Sequence, residues 1–109
     1  MSQYFRTQSD CSRHEIFPGV TVSTTACREM MLSRAEFGAG AVVEEHSHPH
    51  EQVGIVLEGR AHFFIGDEDR VLGPGDLFVI PGNVKHRVVA LEGPVKALDV
   101  FHPIREDYL

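Results

Sequence analysis

His46, His48 and His86 are the residues of this chain whose type and spacing point most directly to chemistry. The first two lie in G-x5-H-x-H-x3-Q-x6-G, from Gly40 to Gly59, with Gln52 as its amide. The third closes G-x5-P-x4-H, from Gly75 through Pro81 to His86. Side chains two apart on a strand face the same way, so His46 and His48 converge. Neutral imidazole suits first-row divalent ions such as zinc, copper, iron and nickel. Glu51 and Gln52 both stand near enough to His48 to add an oxygen ligand, and glutamate is the more familiar ligand type. Three imidazoles with an amide would leave the ion's dipositive charge uncancelled. Such a centre favours an anionic substrate and Lewis-acid stabilisation of an oxyanion or enolate over redox cycling.

A second cluster follows in Asp99-Val100-Phe101-His102-Pro103-Ile104-Arg105. Asp99 and Phe101 share strand parity, and a carboxylate on an interior face is costly unless it is paired or used. Arg105, just past Pro103, can reach back to the same mouth, and its planar fork suits a substrate carboxylate. The plainer alternative is an Asp99–Arg105 ion pair that pins the tail, with Phe101 as core. His102 has the opposite parity and should face away. His14 and His62 have no motif around them.

The elements that must position these groups read as short strands: Val20–Thr25, Glu29–Phe37, Ala41–Glu45, Val53–Leu57, Ala61–Ile65, Leu77–Ile80, Arg87–Leu91 and Lys96–Phe101. Turn chemistry divides them at Gly38-Ala39-Gly40, Glu58-Gly59, Gly66-Asp67, Gly73-Pro74-Gly75, Pro81-Gly82-Asn83 and Glu92-Gly93-Pro94. Many short strands at intervals of about 8–12 residues predict an all-β sandwich or barrel. Asn83 tolerates the left-handed conformation that its turn requires. The tail Pro103–Leu109 leaves the strand pattern and is expected to form a terminal turn over the barrel mouth.

Length and charge narrow the classes. The chain suits one domain, residues 1–109, with each motif present once. A formal net charge of -6 and the lack of any Lys/Arg run argue against nucleic acid. No stretch approaches the ~18 apolar residues of a spanning helix, so no membrane association is expected. The first ten residues hold no apolar run, so no secretory signal is expected. Cys11 and Cys27 stand far apart and read as reduced thiols of a cytoplasmic protein. Strands apolar on both faces, around Met30–Leu32 and Val53–Leu57, lead us to expect a two-fold homodimer.

Three stretches together, HSHPHEQVGIVLEG (His46–Gly59), GPGDLFVIPGNVKH (Gly73–His86) and DVFHPIREDYL (Asp99–Leu109), resemble the single-domain cupins, and among them the KdgF-type pectin degradation proteins. The first two stretches occur across many cupins; the third is the more restrictive. The resemblance implies a jelly-roll (double-stranded β-helix) barrel holding one divalent transition metal ion, Ni, Zn, Mn or Fe. It implies His46, His48, Gln52 and His86 as ligands, which selects Gln52 over Glu51. It also implies Asp99, Phe101 and Arg105 as the catalytic residues.

The implied reaction is the conversion of 4,5-unsaturated uronate monosaccharides, from pectin or alginate breakdown, into the linear 5-keto-4-deoxyuronate. Two other classes compete with this isomerase-like activity. One is a metal-dependent cupin dioxygenase, against which the neutral Gln52, Asp99 and Arg105 count. The other is a non-catalytic sugar-binding cupin.

Overall fold

The computed structural model describes residues 2–109. Alternating burial builds its strands. β2 (Val20–Ala26) and β3 (Met31–Phe37) bury every second residue, which fixes one inner face for each. β1 (Ser12–Phe17), β4 (Val42–His46), β6 (Glu68–Leu72) and β7 (Leu77–Ile80) are short. β5 (Glu51–Ile65) and β8 (His86–His102) are long and pair along most of their length. All pairings are antiparallel.

Because β5 and β8 are long, they belong to two sheets at once. The later half of β8 and the earlier half of β5 continue β1, β2 and β3 and end on β7. The earlier half of β8 pairs with β4, and the later half of β5 with β6. This is an all-β fold as expected from the strand spacing, and the jelly roll that the resemblance implies. Between the two layers lies one core, with Val20, Val56, Ala61 and Val95 fully buried and Met31 nearly so.

Three expectations need correction. Val53–Leu57 and Ala61–Ile65 are one strand, and so are Arg87–Leu91 and Lys96–Phe101. Gly59 and Glu92-Gly93-Pro94 are not hairpin turns. They are irregular points within continuous strands, where the β5/β8 register slips between Val56 and Ala61. Gly59 (φ 76) and Gly93 (φ 59) take left-handed conformations there, and a Cβ on Gly59 would stand 2.5 Å from the Pro94 carbonyl oxygen. The third correction is that β1 and β6 are strands too. β1 (SRHEIF) has no fully buried residue and opens on four polar ones, and β6 is mostly exposed, so the sequence pattern lacks the apolar signal of a half-buried strand. Asn83 does adopt the left-handed conformation (φ 67).

Candidate metal centre and adjoining cavity

His46 ends β4, His48 follows in the loop, and His86 opens β8 opposite His46. The strand therefore does not continue to His48. Convergence comes instead from the loop, which the Pro81-Gly82-Asn83 turn holds from behind. The Asn83 amide donates to the His48 carbonyl at 2.7 Å, and a Cβ on Gly82 would lie 2.6 Å from the Pro49 carbonyl oxygen. One nitrogen from each of the three imidazoles falls within 4.8 Å of the others. His48 and His86 are buried, and His46 is half-buried.

Each ring is oriented by a backbone carbonyl two residues away. His46 Nδ1 meets Glu44 O at 2.8 Å, His48 Nδ1 meets His50 O at 3.1 Å, and His86 Nδ1 meets Val84 O at 2.9 Å. When Nδ1 carries the proton, every Nε2 is left with a free lone pair. His86 Nε2 is buried with no partner among the described residues. His48 Nε2 lies 3.0 Å from Gln52 Oε1, while Gln52 Nε2 donates to Asp99 Oδ1 at 3.1 Å. In that tautomer two lone-pair atoms face each other, an arrangement that a cation between them satisfies. The donor set thus fits a divalent ion. Burial lowers the His86 pKa to about 4 and also lowers that of His48, which keeps both rings in the neutral form a metal requires.

The register explains why Gln52 and not Glu51 faces the cluster. Gln52 pairs with buried Phe101, whereas Glu51 pairs with exposed His102. One parity points inward and the other outward, as expected for His102. Asp99, two residues before Phe101, is also inward and only 6% exposed. Burial pushes its carboxyl up to about 7, against the opposing pull of the Gln52 hydrogen bond and the Arg105 charge.

Arg105 and the terminal 3-10 turn Glu106–Tyr108 roof the same space. The guanidinium lies 4.0 Å from the Tyr108 ring centroid and 5.3 Å from that of Phe101. Thr24 Oγ1 donates to the Tyr108 carbonyl and docks the tail on β2. The Asp99–Arg105 pair considered from sequence is not formed: Arg105 bonds Asp107 at 2.9 Å, and its buried Nε has no partner among the described residues. Asp99, Phe101, Arg105, Gln52, His46 and His86 all border one cavity of about 50 Å³. The space is small and largely apolar-walled, suited to a small ligand fixed by few polar groups.

Sequence reasoning missed three participants. Tyr108 lines the cavity from the tail. Ser33 lines it from β3. Gly54 is needed because Asp99 and Phe78 both close over its backbone: an added Cβ would clash with the edge of the Phe78 ring and stand 2.7 Å from Asp99 Oδ1. An isolated glycine inside a strand is the signal that could have exposed it.

Comparison with known proteins places the fold. The cupin-domain profile matches residues 33–101, more than half of the chain. The chain is a cupin. This cupin is similar over 99% of its length to KdgF from Halomonas sp., with 33% identity, a TM-score of 0.88 and all of that chain covered. It is equally similar in shape to an RmlC-like cupin from Shewanella frigidimarina NCIMB 400, at 30% identity and a TM-score of 0.89, covering 99% of this chain and 97% of that one. It is also 32% identical over 87 residues to acireductone dioxygenase 1 of Physcomitrium patens, covering 61% of this chain and 45% of that protein. The cupin spans half or less of the length of the first curated enzymes it matches. Among the described residues, no helix is long and apolar enough to cross a membrane.

Proposed function

We propose that this cupin linearises 4,5-unsaturated uronate monosaccharides to the 5-keto-4-deoxyuronate. The observation that carries the reading is Asp99 and Arg105 facing one cavity beside three converging imidazoles. Whole-length similarity to KdgF supports it. His46, His48, His86 and the Gln52 amide would hold a divalent ion, which supplies Lewis-acid charge beside the substrate's carboxylate–enolate system.

The chain's own groups do the rest. Arg105 binds the substrate carboxylate, with its guanidinium held over the Tyr108 ring. Phe101 packs on the sugar and limits water. Asp99, whose carboxyl titrates near neutrality, takes the proton of the anomeric hydroxyl. The C1–O5 bond breaks, C1 becomes the aldehyde, and the electron pair passes to the enolate at C5. Proton delivery at C4 then gives the ketone, so one proton moves from O1 to C4 and nothing is oxidised. The test is loss of the conjugated C4=C5 absorbance when metal-loaded protein meets the unsaturated monosaccharide. Unchanged absorbance would refute the reading. The match to acireductone dioxygenase favours a second reading, a metal-dependent dioxygenase. Oxygen uptake without loss of the uronate double bond would select it.

The assembly is inferred from the outer face of the larger sheet. One register row there runs Leu32, Val100, Val53, Val79, and the next places Leu98 beside Ile55 and Leu77. Leu77 is 71% exposed and Val79 65%. A contiguous apolar face of this kind suits a two-fold homodimer. Leu77→Lys should shift the sedimenting species from dimer to monomer; a monomeric parent protein would refute it. Cys11 and Cys27 are unpaired thiols, in keeping with a cytoplasmic setting.

A further inference from the structure

One register row on the inner face is largely polar. Ser12 pairs with Thr24, Thr24 with Ser33, Ser33 with Asp99, and Asp99 with Gly54. The adjoining row carries Met31, Phe101 and Gln52. Three of the polar side chains in the first row are deeply buried, and two have visible work. Thr24 docks the tail through the Tyr108 carbonyl. Asp99 is held by Gln52.

Ser33 is different. It is 1% exposed, its Oγ has no partner among the described residues, and it borders the cavity that Asp99, Gln52 and Arg105 share. Its strand neighbours on the same face, Met31, Ala35 and Phe37, are all apolar. An alanine would fill the place without burying an unsatisfied hydroxyl. A neutral serine hydroxyl is not among the usual ligands of a first-row divalent ion, so ligation does not account for it. Directly paired strand positions hold their Cβ atoms about 4.5–5.5 Å apart. One ligand oxygen lying between Ser33 and Asp99 can therefore bond both.

We propose that Ser33 Oγ is a substrate-binding group, which hydrogen-bonds the sugar hydroxyl presented to Asp99 while Arg105 holds the carboxylate. The uronate reading supplies the ligand's identity here; the ligand class, a small hydroxylated carboxylate, follows from the three groups themselves. Ser33 fixes the hydroxyl's direction, so its loss weakens ligand binding without disturbing fold or metal.

The experiment compares metal-loaded wild type, Ser33→Ala and Ser33→Cys, which keeps the volume but bonds weakly. Calorimetry measures binding of a saturated uronate, which has no C4=C5 bond to rearrange, and of acetate, which has no hydroxyl. Both variants should keep the wild-type metal content and a Tm no lower than wild type. Both should bind the saturated uronate about tenfold more weakly, as loss of one such hydrogen bond implies, and acetate equally. On the unsaturated substrate they should lose about tenfold or more in kcat/KM. Uronate binding at wild-type strength in both variants overturns the proposal, even if the wild type linearises its substrate. A tenfold loss of saturated-uronate binding alongside an inactive wild type would overturn the linearisation reading and leave this site standing. A wild type that binds no uronate overturns both.

Discussion

Asp99→Asn should separate stability from activity, because the burial that tunes the carboxyl for proton transfer also burdens the fold. In the metal-free protein the native carboxyl titrates at about 7, against an ordinary value of 3.8. Below pH 3.8 the folded and unfolded chains both hold the proton. Between 3.8 and about 7 the unfolded chain has released it and the native one has not, so stability falls as pH rises, by about 1.4 kcal/mol per unit. Above about 7 both are ionised and the loss levels off. Over that window it amounts to something on the order of 4 kcal/mol. Asparagine does not ionise and still presents an oxygen to Gln52 Nε2. Chelated Asp99→Asn should therefore match wild type near pH 4 and exceed it at pH 8, by up to that amount.

The assay is thermal and urea unfolding of both proteins in chelator from pH 4 to 8, read as the difference between them so that other titrating groups cancel. With metal restored, the same variant should lose on the order of 10²–10⁴-fold in rate, as acid–base residues do. A bound dipositive ion also favours the carboxylate, so the difference should narrow in loaded protein. A variant that is less stable than wild type at pH 8, or that shares its pH slope, would refute the burial argument. A near-wild-type rate would remove Asp99 from proton transfer.

Three further outcomes test the rest of the site. Chelation should lower Tm. In chelator the His86 contribution should fall as pH falls from about 6.5 to about 4, because unfolded His86 takes up a proton in that window while the native ring, held near 4 by burial, does not. It is read as the difference between wild type and His86→Gln, so that the opposing Asp99 slope cancels. Adding Ni, Zn, Mn or Fe should restore Tm, by less at the acid end where protons compete with the metal for imidazole, and an unchanged Tm would count against the metal centre. Arg105→Ala should raise KM at least tenfold, read from initial rates, and an unaltered KM would mean that the carboxylate is bound elsewhere. Gly54→Ala forces a methyl against Phe78 and Asp99 Oδ1 and should destabilise by about 1–3 kcal/mol in denaturant titrations. It should also lower the rate, through displaced Asp99; a neutral substitution would show that the close approach is not needed.

What was legible in the sequence was the part written at short range. His46 and His48 sit two residues apart, His86 follows a proline turn, and parity alone separated inward Asp99 and Phe101 from outward His102. Parity could also have separated Gln52 from Glu51, but only with the pairing partner known, since nothing local says which face is inside. Ser33, Gly54 and Tyr108 escaped for the same reason. Ser33 shares the buried parity of Met31, Ala35 and Phe37, yet its nearness to Asp99 exists only across the β3/β8 register. Tyr108 enters the site through a tail docked by Thr24, 84 residues away in sequence. β1 and β6 were missed because edge strands need no strong apolar alternation.

The misread glycines show how the site is brought together. His86 and Asp99 belong to one strand, thirteen steps apart, and a straight strand would separate them by roughly 43 Å at about 3.3 Å per residue. The whole described chain measures 39 Å in its longest direction. Both residues nevertheless border the same cavity, so β8 must turn back between them. It does so where the β5/β8 register slips, at Gly93-Pro94 opposite Gly59, with left-handed backbone at both glycines. The punctuation that reads as hairpin turns is therefore the bend that folds two antiparallel strands over together. That bend carries the His86 end of β8 back toward the Asp99 end. The imidazoles of the G-x5-H-x-H and G-x5-P-x4-H stretches meet the C-terminal carboxylate and arginine because one pair of strands serves both sheets.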